Sequence, residues 1–142
     1  MSTTASTPLA GPLTRATVTA LPPDHVELSL VGTDYRLRLL LLKPAPALVL
    51  GKPASGVVRV KAKRIDPARA GGRYIEPVFG RPRRVQGLVT AVDPQAQTIT
   101  VLAACPVVAQ LPPAQRAEAF TVGDLVGFEV EPDAGFTPAA HD

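Results

Sequence analysis

Alternating apolar and polar side chains predict short β-strands along most of the chain. Val26, Leu28 and Leu30 alternate with polar neighbours, which is the two-residue period of a strand that buries one face. Proline and glycine residues bound most of these runs. Strands are predicted over residues 13–21, 25–31, 35–42, 56–65, 84–92, 97–103, 106–111 and 125–131, with one or two helical turns over 114–119.

The end of the strand predicted over 35–42 is apolar on both faces. Its second face begins with Arg36 and Arg38 but ends with Leu40 and Leu42. Apolar side chains on both faces of a strand indicate that both faces are covered. We therefore expect an interface at Leu40 and Leu42, formed with the other half of the chain or with a partner chain.

The pattern of the first half returns in the second half. Residues 16–30 lie over residues 87–101 without a gap and share Val, Thr, Ala and Pro at four positions. Residues 48–52 match residues 120–124, and an alternating strand follows each of them. Because a repeat reports the architecture of a chain, the sequence indicates an internal duplication.

The duplication predicts an all-β fold of two similar small OB-like β-barrels packed as a pair. A unit of about 60 residues is near the lower limit for a core of its own, so the two units should support each other. One eight-stranded barrel or sandwich built from two half-units is the alternative. The predicted parts are a disordered tail (1–12), a first barrel (13–65), a linker rich in Pro, Gly and Arg (66–83), a second barrel (84–132) and a tail (133–142).

Cysteine content and hydropathy bear on the compartment. Cys105 is the single cysteine, which excludes an internal disulfide framework and fits a reducing compartment. Residues 1–12 lack the basic and apolar regions of a signal peptide. The most apolar stretch, residues 37–50, is interrupted by charges and prolines, so it is unsuited to span a bilayer. We expect a cytoplasmic protein without a membrane partner.

Charge is distributed unevenly along the chain. The formal net charge is +3, but residues 59–84 contain nine basic and two acidic side chains, whereas residues 85–142 contain one basic and seven acidic. Arginines beside aromatic rings suit phosphate contact and base stacking, and OB-like barrels often bind nucleic acids. A solvated strand face and a polar linker would give the same pattern. The candidate residues for binding nucleic acid or a partner are Arg59, Lys61, Lys63, Arg64, Arg73, Tyr74, Phe79, Arg81, Arg83 and Arg84.

The repeat also predicts opposed charged faces. Superposing its last strands places Glu129 at the position of Arg59 and Glu131 at the position of Lys61. Faces of opposite charge can meet within one chain or between two chains, where they fix orientation more than stability. Residues 71–84 have no counterpart in the other repeat. They form either a recognition loop or, as we favour, an apolar seam between the repeats.

The sequence offers no catalytic, metal or cofactor site. Two distant histidines and one cysteine lack the spacing of a metal cluster or a catalytic dyad. We expect Cys105 to be a small buried apolar residue. No glycine-rich phosphate loop of a known spacing is present. We therefore expect a protein that is not an enzyme.

The order and spacing of the predicted strands resemble those of a known group of small barrels. This pattern is carried by residues 28–30, 37–39, 48–51 and 58–63, and it is similar to the tandem TOBE and molybdate-binding Mop-type domains. The resemblance implies an OB-like barrel and a small-oxyanion ligand at the junction of the repeats. The leading hypothesis is a non-enzymatic, self-associating binding or assembly module. Nucleic-acid binding is the alternative, and oxyanion binding is a third.

Overall fold

A computed structural model describes residues 12–41 and 48–139. These residues form an all-β protein with one short 3₁₀ helix, Ala117–Ala119. The strands are β1 (Thr14–Ala20), β2 (His25–Leu30), β3 (Arg36–Leu41), β4 (Pro53–Pro67), β5 (Tyr74–Glu76), β6 (Phe79–Gly80), β7 (Arg84–Asp93), β8 (Thr98–Leu102), β9 (Pro106–Gln110), β10 (Leu125–Val130) and β11 (Gly135–Pro138). The described residues contain no helix long and apolar enough to cross a membrane.

The alternation of the sequence decides which side chains are buried. On β3, Leu37 and Leu39 are fully buried, whereas Arg36 and Arg38 are exposed. The eight strands that the alternation predicts are present, and the helical turns predicted over 114–119 are the 3₁₀ helix. One continuous apolar core joins residues from both halves of the chain.

The hydrogen-bonded strand pairs form two circuits that share β4. The first runs β1–β2–β3–β11–β4 and returns to β1, and the second runs β4–β10–β7–β8–β9 and returns to β4. Each circuit contains one parallel pair, which is β3 with β11 in the first and β4 with β9 in the second. The other pairs of both circuits are antiparallel.

β4 belongs to both circuits because its 15 residues meet four strands in succession. Its beginning pairs with β1 and then β11, and its later part pairs with β9 and then β10. The last strand of the chain, β11, lies between β3 and β4 in the first circuit. Each half of the chain therefore supplies one strand segment to the circuit formed mainly by the other half.

Local backbone geometry recurs at the aligned positions of the two halves. The β1–β2 ladder shifts register between Val18 and Ala20, and the β7–β8 ladder shifts between Val89 and Ala91. Val18 donates to Lys52 O (2.9 Å) and accepts from Gly51 N–H (2.8 Å). Val89 makes the same two bonds with Asp124 O (2.9 Å) and Gly123 N–H (2.8 Å). Gly51 and Gly123 have φ of 83° and 100°, which glycine adopts without strain.

The segment 66–83, predicted as a linker, is more ordered than its composition suggests. β4 continues to Pro67, and β5 and β6 lie within the segment. β5 pairs with β7 and β6 pairs with β3, so the segment connects the two circuits. Ile75 is 1% exposed, whereas Val78 and Phe79 are exposed. Of these three apolar residues, only Ile75 is buried, as expected of a residue in the predicted apolar seam between the repeats.

The segment 133–142, predicted as a tail, contains the buried strand β11. Phe136 is 0% exposed and Thr137 is 4% exposed. The prediction of a loose tail is wrong there, because β11 gains its hydrogen bonds from β3 and β4, which are distant in sequence. The division of the chain into two barrels remains a prediction.

Candidate functional site

The basic side chains predicted on β4 project from one side of that strand. Arg59, Lys61 and Lys63 alternate with buried apolar residues, and Lys61 and Lys63 are exposed while Arg59 is half-buried. Lys61 Nζ lies 3.1 Å from Asp133 Oδ2, and both side chains are substantially exposed. An exposed pair of this kind contributes about 0–1 kcal/mol. Lys61 therefore already has a carboxylate partner within the chain.

A polar cavity of about 520 Å³ lies beside β4, β7 and β10, and we call it the basic pocket. The charged side chains of its lining are Lys63, Arg64, Asp66, Arg69, Arg84 and Glu129. Four of these side chains are positive and two are negative, so the pocket has an excess of positive charge. The pocket brings together four residues that the sequence singles out: Lys63, Arg64, Arg84 and Glu129.

Gln86 fixes one wall of the basic pocket. Its side chain is buried, and Nε2 donates to Ala70 O (3.1 Å) and to Gly72 O (2.9 Å). The hydroxyl of Tyr74 donates to Gln86 Oε1 (3.3 Å). Because the buried amide is hydrogen-bonded at both ends, it holds the loop that carries Arg69 against β7. Tyr74 thus helps to hold the wall of the pocket.

Ion pairing inside the basic pocket is incomplete. Arg64 Nε donates to Asp66 Oδ1 at 3.0 Å, and Arg84 lies opposite Glu129 in the ladder between β7 and β10. Within residues 12–41 and 48–139, Lys63 and Arg69 form no ion pair. The pocket therefore presents cationic groups that lack a counter-ion in the described part of the chain.

A second basic surface surrounds Phe79, and we call it the arginine face. It consists of Arg36, Arg38, Phe79, Arg81 and Arg83, all of them exposed. β3 and β6 pair with Arg36 opposite Phe79, and the Arg36 guanidinium lies 5.7 Å from the centre of the Phe79 ring. This distance is within the range of a cation–π interaction. No ion pair involves these four arginines among the described residues.

An apolar groove of about 760 Å³ contains the predicted interface residues Leu40 and Glu131. Its lining also includes Leu111, Pro112, Pro113 and Pro132. Leu40 is half-buried, and the predicted interface residue Leu42 lies outside the described residues. The groove is bordered by the ends of β3 and β9 and by the residues that follow β10.

The opposed charged faces take a different arrangement from the one that the repeat suggests. β4 and β10 are antiparallel neighbours, and Glu131 N–H donates to Lys61 O at 2.9 Å. In the ladders Arg59 lies opposite Val108 and Gly135, and Glu129 lies opposite Arg84. The two strands therefore meet within one chain, with Asp133 as the ion-pair partner of Lys61.

Of the residues with reactive side chains, Cys105 is buried in the core, whereas His25 lines the apolar groove. Cys105 is buried, and loss of hydration raises the pKa of its thiol to about 11. His25 Nδ1 lies 2.9 Å from Pro23 O. The described residues contain no group of three or more histidine, cysteine or carboxylate side chains placed to hold a metal ion. Arg73 is exposed and does not line the basic pocket.

Sequence reasoning did not select four of the residues that build these surfaces. Arg36 and Arg38 belong to a strand outside the basic segment, and β6 pairing brings Phe79 beside them. Arg69 lies in the segment considered but was not chosen, and Gln86 has no charge to draw attention. The one sequence signal for Gln86 was its position in a mainly apolar strand. A glutamine buried there needs hydrogen-bond partners for its side-chain amide.

The comparisons with known proteins assign no family to this chain. No protein-family model matches it, and no curated protein matches it. The functional argument therefore depends on the surfaces described above.

Proposed function

We propose that the chain is an internal duplication of one five-stranded OB-like unit, in which the two copies exchange their last strand segments. Three observations support this. Each circuit has five members and one parallel pair. The register shifts and the turn hydrogen bonds recur at aligned positions. In each circuit the parallel pair joins the third strand of one predicted barrel to a strand segment from the other half of the chain. A tandem pair of OB-like units is also what the resemblance to TOBE and Mop-type domains implies.

We further propose that the protein is a non-enzymatic binding module for single-stranded nucleic acid, which it contacts through the arginine face. One observation carries the proposal: the ring of Phe79 is 61% exposed with Arg36 over it, and Arg38 on β3 and Arg81 and Arg83 just after β6 are also exposed. Aromatic side chains bury a large area when they pack against another molecule. A base can stack on this ring and on the guanidinium plane beside it.

The charge of the arginine face fits a phosphate backbone. Arginine presents a planar fork of donors that matches phosphate oxygens, and the four arginines have no carboxylate partner among the described residues. Each phosphate contact on a single strand contributes roughly −0.7 to the slope of log K against log salt, so four contacts give about −3. The affinity should therefore be strongly dependent on salt.

Fluorescence polarisation with a labelled single-stranded oligonucleotide tests this function. Phe79→Ala should weaken binding by about 1–3 kcal/mol, which is the usual cost of removing one stacking ring. Val122→Ala is the matched control, because Val122 is also 61% exposed and lies in the turn before β10, outside the arginine face. Binding that is absent at low salt, insensitive to salt, or equally weakened by both variants would contradict the proposal.

Self-association is the second candidate, and the apolar groove is the observation that favours it. Leu40, Leu111 and two consecutive prolines leave a concave apolar surface at the junction of the circuits. A concave apolar surface on a small protein can bind another chain. Light scattering coupled to size exclusion should detect a dimer that Pro113→Glu dissociates. A monomer at every concentration tested would exclude this candidate without affecting nucleic-acid binding.

A further inference from the structure

The basic pocket has the size and the rigidity of a small-ligand site. Ligand pockets are typically roughly 300–1,000 Å³, and this cavity is about 520 Å³. Gln86, 5% exposed, fixes the loop that carries Arg69 through two hydrogen bonds to backbone carbonyls. One wall of the pocket is thus formed before any ligand arrives, which lowers the entropy cost of binding.

A glycine gives an arginine room inside the pocket. Gly127 lines the cavity on β10, and a Cβ atom there would lie 3.1 Å from Arg84 Nη2 and 3.4 Å from Gln86 Oε1. The missing side chain lets the guanidinium of Arg84 lie close against the strand. Arg69 lies in the segment 66–83, which joins the two predicted barrels.

The net charge of the side chains that line the basic pocket indicates the class of ligand. Arg64 and Asp66 neutralise each other, which leaves Lys63, Arg69 and Arg84 against the carboxylate of Glu129. Among the lining residues the remaining excess is two positive charges, and Glu76, outside the lining, lies opposite Arg84 in the ladder between β5 and β7. A phosphate monoester carries about −1.5 to −2 at pH 7, so it matches this excess better than a carboxylate does. The rest of the cavity has space for an organic group, whose hydroxyl or amine hydrogens Glu129 can accept.

We propose that the basic pocket binds a phosphate monoester, with Lys63, Arg69 and Arg84 contacting the phosphate group. The monoester can belong to a free small molecule such as a nucleotide or to the 5′ end of a nucleic-acid strand. The site does not require the arginine face, because its residues are different ones. Each of the two proposals can therefore fail without the other.

Titration of the full-length protein with adenosine 5′-monophosphate, followed by amide chemical shifts, tests the site. The nucleotide should shift the amides of Arg69, Gln86 and Gly127, and adenosine at the same concentrations should not. Arg69→Gln should weaken binding at least about fivefold, consistent with losing a charged hydrogen bond. Arg73→Gln, a nearby arginine outside the lining, should change binding less than about twofold.

The pH dependence and a second probe complete the test. Affinity should fall below pH 6, because the monoester gains a proton near that pH and loses charge. Tighter binding of a 5′-phosphorylated oligonucleotide than of the same strand with a 5′-hydroxyl identifies a strand end as the source, and equal binding of the two strands identifies a small molecule. Equal binding of adenosine, equal loss in both arginine variants, or no binding at millimolar nucleotide would overturn the proposal.

Discussion

Gly56 on β4 and Gly127 on β10 have different reasons to be glycine. A Cβ atom on Gly56 would collide with the Thr137 carbonyl and the Phe136 ring, which belong to the packed strand β11. A Cβ atom on Gly127 would meet the ends of the Arg84 and Gln86 side chains instead. The packed backbone of β11 cannot move away from an added Cβ atom, whereas the end of the Arg84 side chain can move at little cost in free energy. Gly56 therefore makes room for packed backbone, whereas Gly127 makes room for a charged side chain.

Gly56→Ala should destabilise the protein by about 1–3 kcal/mol, the usual cost of overpacking. Gly127→Ala should cost less than about 1 kcal/mol, because the guanidinium can move aside. Chemical denaturation of both variants measures the difference. Equal losses would show that β11 does not pack against Gly56 as described.

The buried Cys105 thiol should make stability fall at alkaline pH. Its pKa is raised from an ordinary 9.0 to about 11 by burial. Below pH 9 the thiol keeps its proton in both folded and unfolded states, so stability is fully retained. Between pH 9 and 11 the unfolded state loses the proton first, and stability falls by up to about 1.4 kcal/mol per pH unit. Subtracting the pH profile of Cys105→Ala isolates this contribution, and identical profiles would contradict it.

The strands differ in how far the local sequence determines them. β3 is predictable because Arg36 to Leu39 alternate in polarity within one strand. β11 is not, because residues 133–142 show no such alternation and its hydrogen bonds come from β3 and β4. The same limit applies to the contact of Arg36 with Phe79, which depends on the pairing of β3 with β6. Polarity thus predicted the face of β4 that carries basic residues, but the partners of those residues required the tertiary structure.

Phe136→Ala should test whether β11 is integral to the fold. Phe136 is 0% exposed, and removing a buried Phe side chain typically costs about 3–5 kcal/mol. Phe79→Ala is the matched control, since that ring is 61% exposed and its removal should change stability by less than about 0.5 kcal/mol. Thermal unfolding distinguishes the two variants. A small loss for Phe136→Ala would mean that the end of the chain is dispensable.

At the scale of the whole molecule, the two circuits carry different surfaces. β4 joins both circuits, so the two halves share one core and keep a fixed relation. The segment 66–83 pairs with both circuits, through β5 on one and β6 on the other, and it carries Arg69, Arg81 and Arg83. The arginine face and the basic pocket both depend on that segment. The proposed function depends on the surfaces in which the two halves differ. The shared core and β4 hold these surfaces in place.

Mapping an oligonucleotide onto the protein by amide chemical shifts tests the central claim most directly. At low salt, a single-stranded oligonucleotide with a 5′-hydroxyl should shift the amides of residues 36–38 and 78–83, which contain the arginine face. Residues 121–123, in the turn before β10, should be unaffected. Shifts confined to residues outside the arginine face, or no shifts at all, would contradict nucleic-acid binding through this surface.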